Sequence, residues 1–197
     1  MTGYAVLTAG LLIGVILALS TGEAEIGLLG ILSYLLDWVT GSGNNTEAGY
    51  TVIIQIRFPR AMTAMLVGAS LATSGVLYQG LLLNPLAEPY TLGVATGAAF
   101  GASMAISFSL RPVAFFAFAG GMGTLAVVMA LGMERSGILG QTRLVLAGVV
   151  VSSILGAGVT LLKVLAGNRM TAIVFWLLGS FSVSTWSDVA WAAVSAF

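Results

Sequence analysis

The sequence predicts an all-α membrane protein, a polytopic transmembrane helix bundle with about five full spans and the start of a sixth. Of its 197 residues, 58% are hydrophobic and only 7% charged, where a soluble domain carries roughly 25% charged residues. Apolar runs of spanning length recur along the chain, punctuated by Gly, Pro and charged clusters. None of them alternates as the strands of a membrane barrel do, and lipid admits only helices and closed barrels as spanning structures.

Charge and composition narrow the function. Seven basic and seven acidic residues cancel, which gives no basic face for nucleic acid. The chain has no Cys and no His, so thiolate and imidazole metal sites, disulfides, Cys nucleophiles and His general bases are all excluded. No GxxxxGK[ST] loop is present, so any ATP-driven step needs a partner that binds ATP and Mg, and no cofactor is expected on this chain.

Tyr4 to Ser20 is an uninterrupted apolar run that spans if Thr2 and Gly3 join it. A signal peptide is the alternative, disfavoured because no basic residue precedes the run. Glu23 to Thr40 carries apolar faces bracketed by Glu23, Glu25 and Asp37. It reads either as a helix at the membrane interface, with Tyr34 and Trp38 at headgroup depth, or as a packed helix in an external loop. Residues 23–46 form that interfacial or external segment, closed by the turn-rich Gly41 to Thr46. Asn44-Asn45-Thr46 is an N-x-[ST] triplet to which no weight attaches. Arg57-Phe58-Pro59-Arg60 reads as a proline turn with two exposed guanidiniums.

Ala61 to Leu83 is the second span, with Ala64, Gly68, Ala72 and Gly75 on one face for close helix packing. Gln79 near its end is expected to bond to a neighbouring helix. Asn84, Pro85 and Pro89 break the helix, with Asn84 as a cap for the next helical segment. Leu92 to Leu110 is the third span, in which Gly93, Gly97 and Gly101 repeat every four residues. Val113 to Met133 is the fourth, Glu134 to Arg143 a polar loop, and Leu144 to Leu165 the fifth. Gly148, Ser152, Gly156 and Thr160 share a face of the fifth span, where the hydroxyls either line a water-filled path or bond back to their own helix. Phe175 to Gly179 reads as an interfacial piece beside Trp176 and Trp186. Val189 to Phe197 reaches only ~14 Å at 1.5 Å per residue, so the chain is expected to stop inside a sixth span. Residues 1–197 are expected to form a single transmembrane domain.

The ordered words along this chain resemble the FecCD-type permeases, the membrane subunits of bacterial ABC importers for iron–siderophore complexes, haem and vitamin B12. They are Arg57-Phe58-Pro59-Arg60, Gly68-Ala69-Ser70-Leu71-Ala72, Ser74-Gly75, Gln79, Asn84-Pro85-Leu86-Ala87-Glu88-Pro89, Leu92-Gly93, Gly97-Ala98, Arg143 to Gly148 and Trp176 to Ser180. Each word is weak alone, and the ordered set is strong, running from about Gly22 to Asp188. The resemblance implies ten helices per subunit and a pair of permease subunits, with a homodimer expected here. It also implies two ATP-binding cassette subunits, an external substrate-binding protein and a bacterial inner-membrane location. The family's later loop that docks the ATPase has no counterpart here.

It further implies that Arg57 and Arg60 dock the binding protein, that Gln141 and Thr142 lie at the cytoplasmic gate, and that Ser152 with Gly148 and Gly156 lines the translocation path. The implied orientation, N-terminus inside, puts Arg57, Arg60, Arg111, Lys163 and Arg169 outside and only Arg135 and Arg143 inside, against the positive-inside bias. An ion-driven secondary transporter fits poorly, because no span centre carries an ionisable residue. A membrane enzyme lacks a convergent polar constellation, and a structural membrane subunit is opposed only by the ordered motifs. Which chelate is carried stays open.

Overall fold

The computed structural model describes residues 2–42, 47–85, 87–133 and 140–196. Among these residues every regular element is helical. In chain order they are α1 (Thr2–Ser20), α2 (Leu28–Thr40), α3 (Ala48–Thr51), a π-helical turn (Val52–Arg57), α4 (Phe58–Leu82) and a 3-10 turn (Pro89–Leu92). Next come α5 (Val94–Ser107), α6 (Val113–Gly132), α7 (Gln141–Leu165), a 3-10 turn (Gly167–Arg169), α8 (Met170–Leu178) and α9 (Trp186–Ala196). Four helical runs are long and apolar enough to cross a membrane: Thr2–Ser20, Ala48–Leu82, Val113–Gly132 and Gln141–Leu165. The third expected span is shorter. Its α-helix holds 14 residues, ~21 Å at 1.5 Å per residue, and it is entered through the 3-10 turn that begins at Pro89.

The chain divides into two compact units, Met1–Leu71 with Phe181–Phe197, and Ala72–Ser180. In the first, Leu19, Ile31, Tyr50, Ile53 and Ile54 form the buried core, with Val15, Ile26, Tyr34, Leu35, Phe58 and Trp186 packed around it. The second span starts earlier than its apolar run suggests, because the backbone is already helical from Ala48. Helix also runs through Phe58-Pro59, where a proline turn was expected. The chain widens into a π turn, in which Phe58 N–H donates to the Ile53 carbonyl. In that register the donor for Ile54 O would be residue 59, and proline has no N–H. Trp186 fills the vacancy: its Nε1–H donates to Ile54 O at 3.1 Å. The indole is held by stacking on Trp38, with centroids 5.3 Å apart, and by the edge of Phe58 at 5.6 Å. At the start of its own helix, Asp188 Oδ2 accepts from both the Thr185 N–H and hydroxyl at 2.8 Å.

The second unit is built on backbone contact. The glycine repeat of α5 does meet a helix, as expected. A Cβ on Gly97 would fall on Thr124 Oγ1 and the Gly120 carbonyl, one on Gly101 would fall on the Phe116 carbonyl, and one on Gly120 on the Gly97 carbonyl. So α5 and α6 touch main chain to main chain, the close approach that small residues permit in lipid. Leu82, Ala87, Leu92, Val128 and Leu144 form the core of this unit. Arg169, in the 3-10 turn after α7, donates from Nη1 to the Ser107 carbonyl at 2.8 Å, capping the last turn of α5.

The loop residues 134–139, including Glu134 and Arg135, and the Asn44-Asn45-Thr46 triplet lie outside the described residues. Close packing of α5 on α6 makes Gly97 sensitive to any added atom. Gly97→Ala is expected to lower stability in detergent by about 1–3 kcal/mol through overpacking, read as a drop in the thermal midpoint. Gly123→Ala, whose Cβ meets nothing within 4 Å, should leave the midpoint unchanged. Trp186→Phe keeps the ring but orphans the Ile54 carbonyl, and should cost about 1–3 kcal/mol by the same assay.

Candidate functional site

The arginine corner comes first. Residues 57 and 60 sit on either side of the junction between the π turn and α4, and the helix sends them to different surroundings. Arg57 is buried, 7% exposed. Its Nη1 donates to Leu19 O at 2.7 Å and its Nη2 to Ala24 O at 2.8 Å. The reason lies in α1. A helix end leaves carbonyls without intrahelical donors, and after Ser20 the Leu17 carbonyl is served by the Thr21 N–H and hydroxyl. Leu19 O is served instead by Arg57. A cation at a helix C-terminus also meets the negative end of the helix dipole. Gly22 makes room for it: its φ is +153°, and a Cβ there would stand 2.5 Å from Arg57 Nη2. The expectation that both guanidiniums are exposed is therefore corrected. Arg57 is consumed inside the fold, and only Arg60 presents its charge.

Arg60 is exposed, and its Nη2 donates to the Ser182 carbonyl at 2.8 Å. Beside it, Thr21, Glu23, Val52 and Ile56 border an open hollow of about 550 Å³. Arg57 forms part of its wall, so the hollow carries one carboxylate and two guanidiniums and is mixed in charge rather than a purely cationic rim.

Asn84, Pro85 and Pro89 do form a helix break. α4 ends at Leu82, Leu83 takes φ +46°, and Asn84 N–H reaches back to Gln79 O at 3.2 Å. The cap position of the following 3-10 turn belongs to Glu88, not Asn84, with Pro89 in its first turn. Leu86 lies outside the described residues. Gly93 closes the turn at φ +73°, the left-handed conformation that favours glycine. A Cβ there would lie 2.5 Å from Ser152 Oγ.

That contact decides the fifth span's stripe. Gly148 is buried against the Thr91 carbonyl and Leu92, and Ser152 Oγ is buried against Gly93, without a hydrogen-bond partner among the described residues. Both residues pack on the re-entrant turn of their own unit. The Gly148 backbone and the Ser152 hydroxyl therefore face that turn within this chain. Gly156 faces open space, and Thr160 returns its hydroxyl to the Gly156 carbonyl at 3.1 Å. Gln141 and Thr142 are exposed in the first turn of α7, one residue after Gly140, whose N–H donates to Gly132 O at 3.1 Å and so ties the end of α6 to the start of α7.

Sequence reasoning missed Gly22, Arg169 and the Trp186–Ile54 hydrogen bond. Gly22 carried a legible signal, since a glycine just past an apolar helix commonly marks its C-terminus. Trp186 did not, because its partner carbonyl lies 132 residues away.

The chain is similar to known proteins. The model of the FecCD transport family matches residues 10–197. The molybdate import system permease protein MolB of Haemophilus influenzae is 40% identical over 145 residues, covering 70% of this chain and 42% of that protein. The hemin transport system permease protein HmuU of Yersinia pestis is 32% identical over 192 residues, covering 93% of this chain and 56% of that one. A solved metal-chelate type ABC transporter in an inward-facing conformation superposes with a TM-score of 0.74 at 33% identity, over 93% of this chain and 55% of its own. The chain spans about half the length of the curated relatives it matches. With its helical runs of spanning length and its ordered motifs, the chain is a multi-pass membrane protein of the FecCD transport family.

Proposed function

We propose that this chain is the membrane-spanning permease portion of an ATP-driven importer for a metal chelate of the iron–siderophore, haem or cobalamin class. The observation that carries the reading is the family match over residues 10–197, supported by the likeness to a metal-chelate type ABC transporter. In this reading the chain works with a second permease copy, two ATP-binding cassette subunits that bind ATP and Mg, and an extracytoplasmic binding protein, in the bacterial inner membrane. Gln141 and Thr142, polar and exposed at the head of α7, serve as gate residues that can part without stranding buried polar groups. Arg60 serves as the docking charge, and Arg57 holds the helix ends behind it.

The proposal is tested by uptake. Cells lacking the gene, complemented with it and its partner subunits, should take up one labelled chelate in an ATP-dependent manner. The panel includes molybdate, because one relative bears that name. Uptake of molybdate alone would reassign the cargo, and uptake of nothing in the panel would contradict the importer reading. Arg60→Glu should slow docking of the binding protein by about tenfold or more, since rim charges act on encounter rates. The measurement is binding-protein stimulation of ATP hydrolysis in vesicles, referenced to hydrolysis without the binding protein. Unchanged stimulation would remove Arg60 from docking.

A further inference from the structure

Helix α2 has two apolar faces, and among the described residues only one is packed. Ile31 is buried in the core of the first unit, with Tyr34 and Leu35 packed against that core. On the other side Leu29, Leu32, Leu36 and Val39, spaced three, four and three residues apart, are 84%, 56%, 64% and 75% exposed. That spacing places them on one stripe of the helix, with Leu28 at its margin. Two hydroxyls beside the stripe bond back to their own helix, and the Asp37 carboxylate, half-buried, accepts from the Ser42 hydroxyl at 3.5 Å. Ser33 Oγ donates to Gly30 O at 2.9 Å and Thr40 Oγ1 to Leu36 O at 2.9 Å, the self-satisfied arrangement that suits a medium without water.

The depth of α2 is fixed by what it touches. Val15 and Leu19, in the last turns of the spanning helix α1, pack in the same core as Ile31. Arg57 ties Leu19 O to Ala24 O, four residues before α2 begins. The helix therefore lies at the level where α1 leaves the hydrocarbon. Ile16 and Leu17, 49% and 56% exposed on α1, extend the bare apolar surface at that level. Trp38, stacked on Trp186, supplies the amphipathic aromatics that favour headgroup depth. The carboxylates of Glu23 and Glu25 precede the helix, and no basic residue lies in it, so anionic lipid is not the attraction.

We infer that α2 is an in-plane membrane anchor whose Leu29–Leu32–Leu36–Val39 stripe inserts into the acyl–headgroup boundary of the bilayer. It seats the outer corner around Arg57 on the lipid surface. The inference uses only the membrane-spanning character of the chain, and stands whether or not the importer reading holds.

The chain has no cysteine, so single labels are clean. Leu32→Cys and Leu36→Cys, each carrying a bimane fluorophore, are placed in the transporter with its partner subunits in phosphatidylcholine vesicles. Glu25→Cys serves as a water-exposed reference and Leu11→Cys as a mid-span one. The expected result is loss of fluorescence to lipid brominated near the headgroup, a smaller loss to lipid brominated deep in the chain, and little loss to aqueous iodide. Leu11→Cys should respond most to the deep bromines, and Glu25→Cys to iodide. Iodide quenching at 32 and 36 equal to that at 25 would place the stripe in water and overturn the inference. Quenching by neither agent would mean a protein covers the stripe, which overturns it equally.

Discussion

A guanidinium buried between the end of α1 and the segment that leads into α2 sets the layout of the first unit. Arg57 reaches from the π turn to Leu19 O and Ala24 O, joining the end of α1 to the segment leading into α2. A buried cation is costly unless its N–H groups are satisfied, and here Leu19 O at the end of α1 and Ala24 O in the following linker supply the acceptors. The two deficits cancel. That requirement reaches Gly22, where any side chain would collide with the guanidinium, and it fixes the depth at which α2 packs. It also separates the two arginines of the Arg-Phe-Pro-Arg word, leaving Arg60 to meet the outside.

Arginine-to-carbonyl bonding recurs. Arg60 donates to Ser182 O and Arg169 to Ser107 O. Long planar side chains with several donors suit this task. It bears on the charge bias, since the orientation implied by the family puts these residues on the outer side. Three of the five arginines and lysines counted there donate to main-chain carbonyls, and Arg57, which is buried, acts as a structural tie rather than as a free loop charge of the kind that sets topology.

The helical class, the break at Asn84 to Pro89 and the close contacts of α5 were legible because each rests on a local pattern. Apolar run length gives a span, proline forbids a ladder, and glycine every four residues gives a flat helix face. What failed rests on distant partners. Phe58-Pro59 suggested a turn, yet helix runs through it out of the preceding π turn, with Trp186 supplying the donor that Ile54 O lacks. The burial of Arg57 depends on carbonyls 33 and 38 residues away. Gly148 and Ser152 on α7 meet the Thr91–Gly93 turn, a contact that helical spacing alone does not encode.

The most direct measurement compares Arg57→Gln with Arg60→Gln by thermal unfolding of the purified protein in detergent. A fall of several degrees is expected for Arg57→Gln, since losing charge-assisted hydrogen bonds at a buried site costs about 1.5–3 kcal/mol each. Little change is expected for Arg60→Gln, because exposed groups contribute within about 0.5 kcal/mol. Equal midpoints for the two variants, or a larger loss at position 60, would contradict the claim that Arg57 is the tie that holds this corner of the fold.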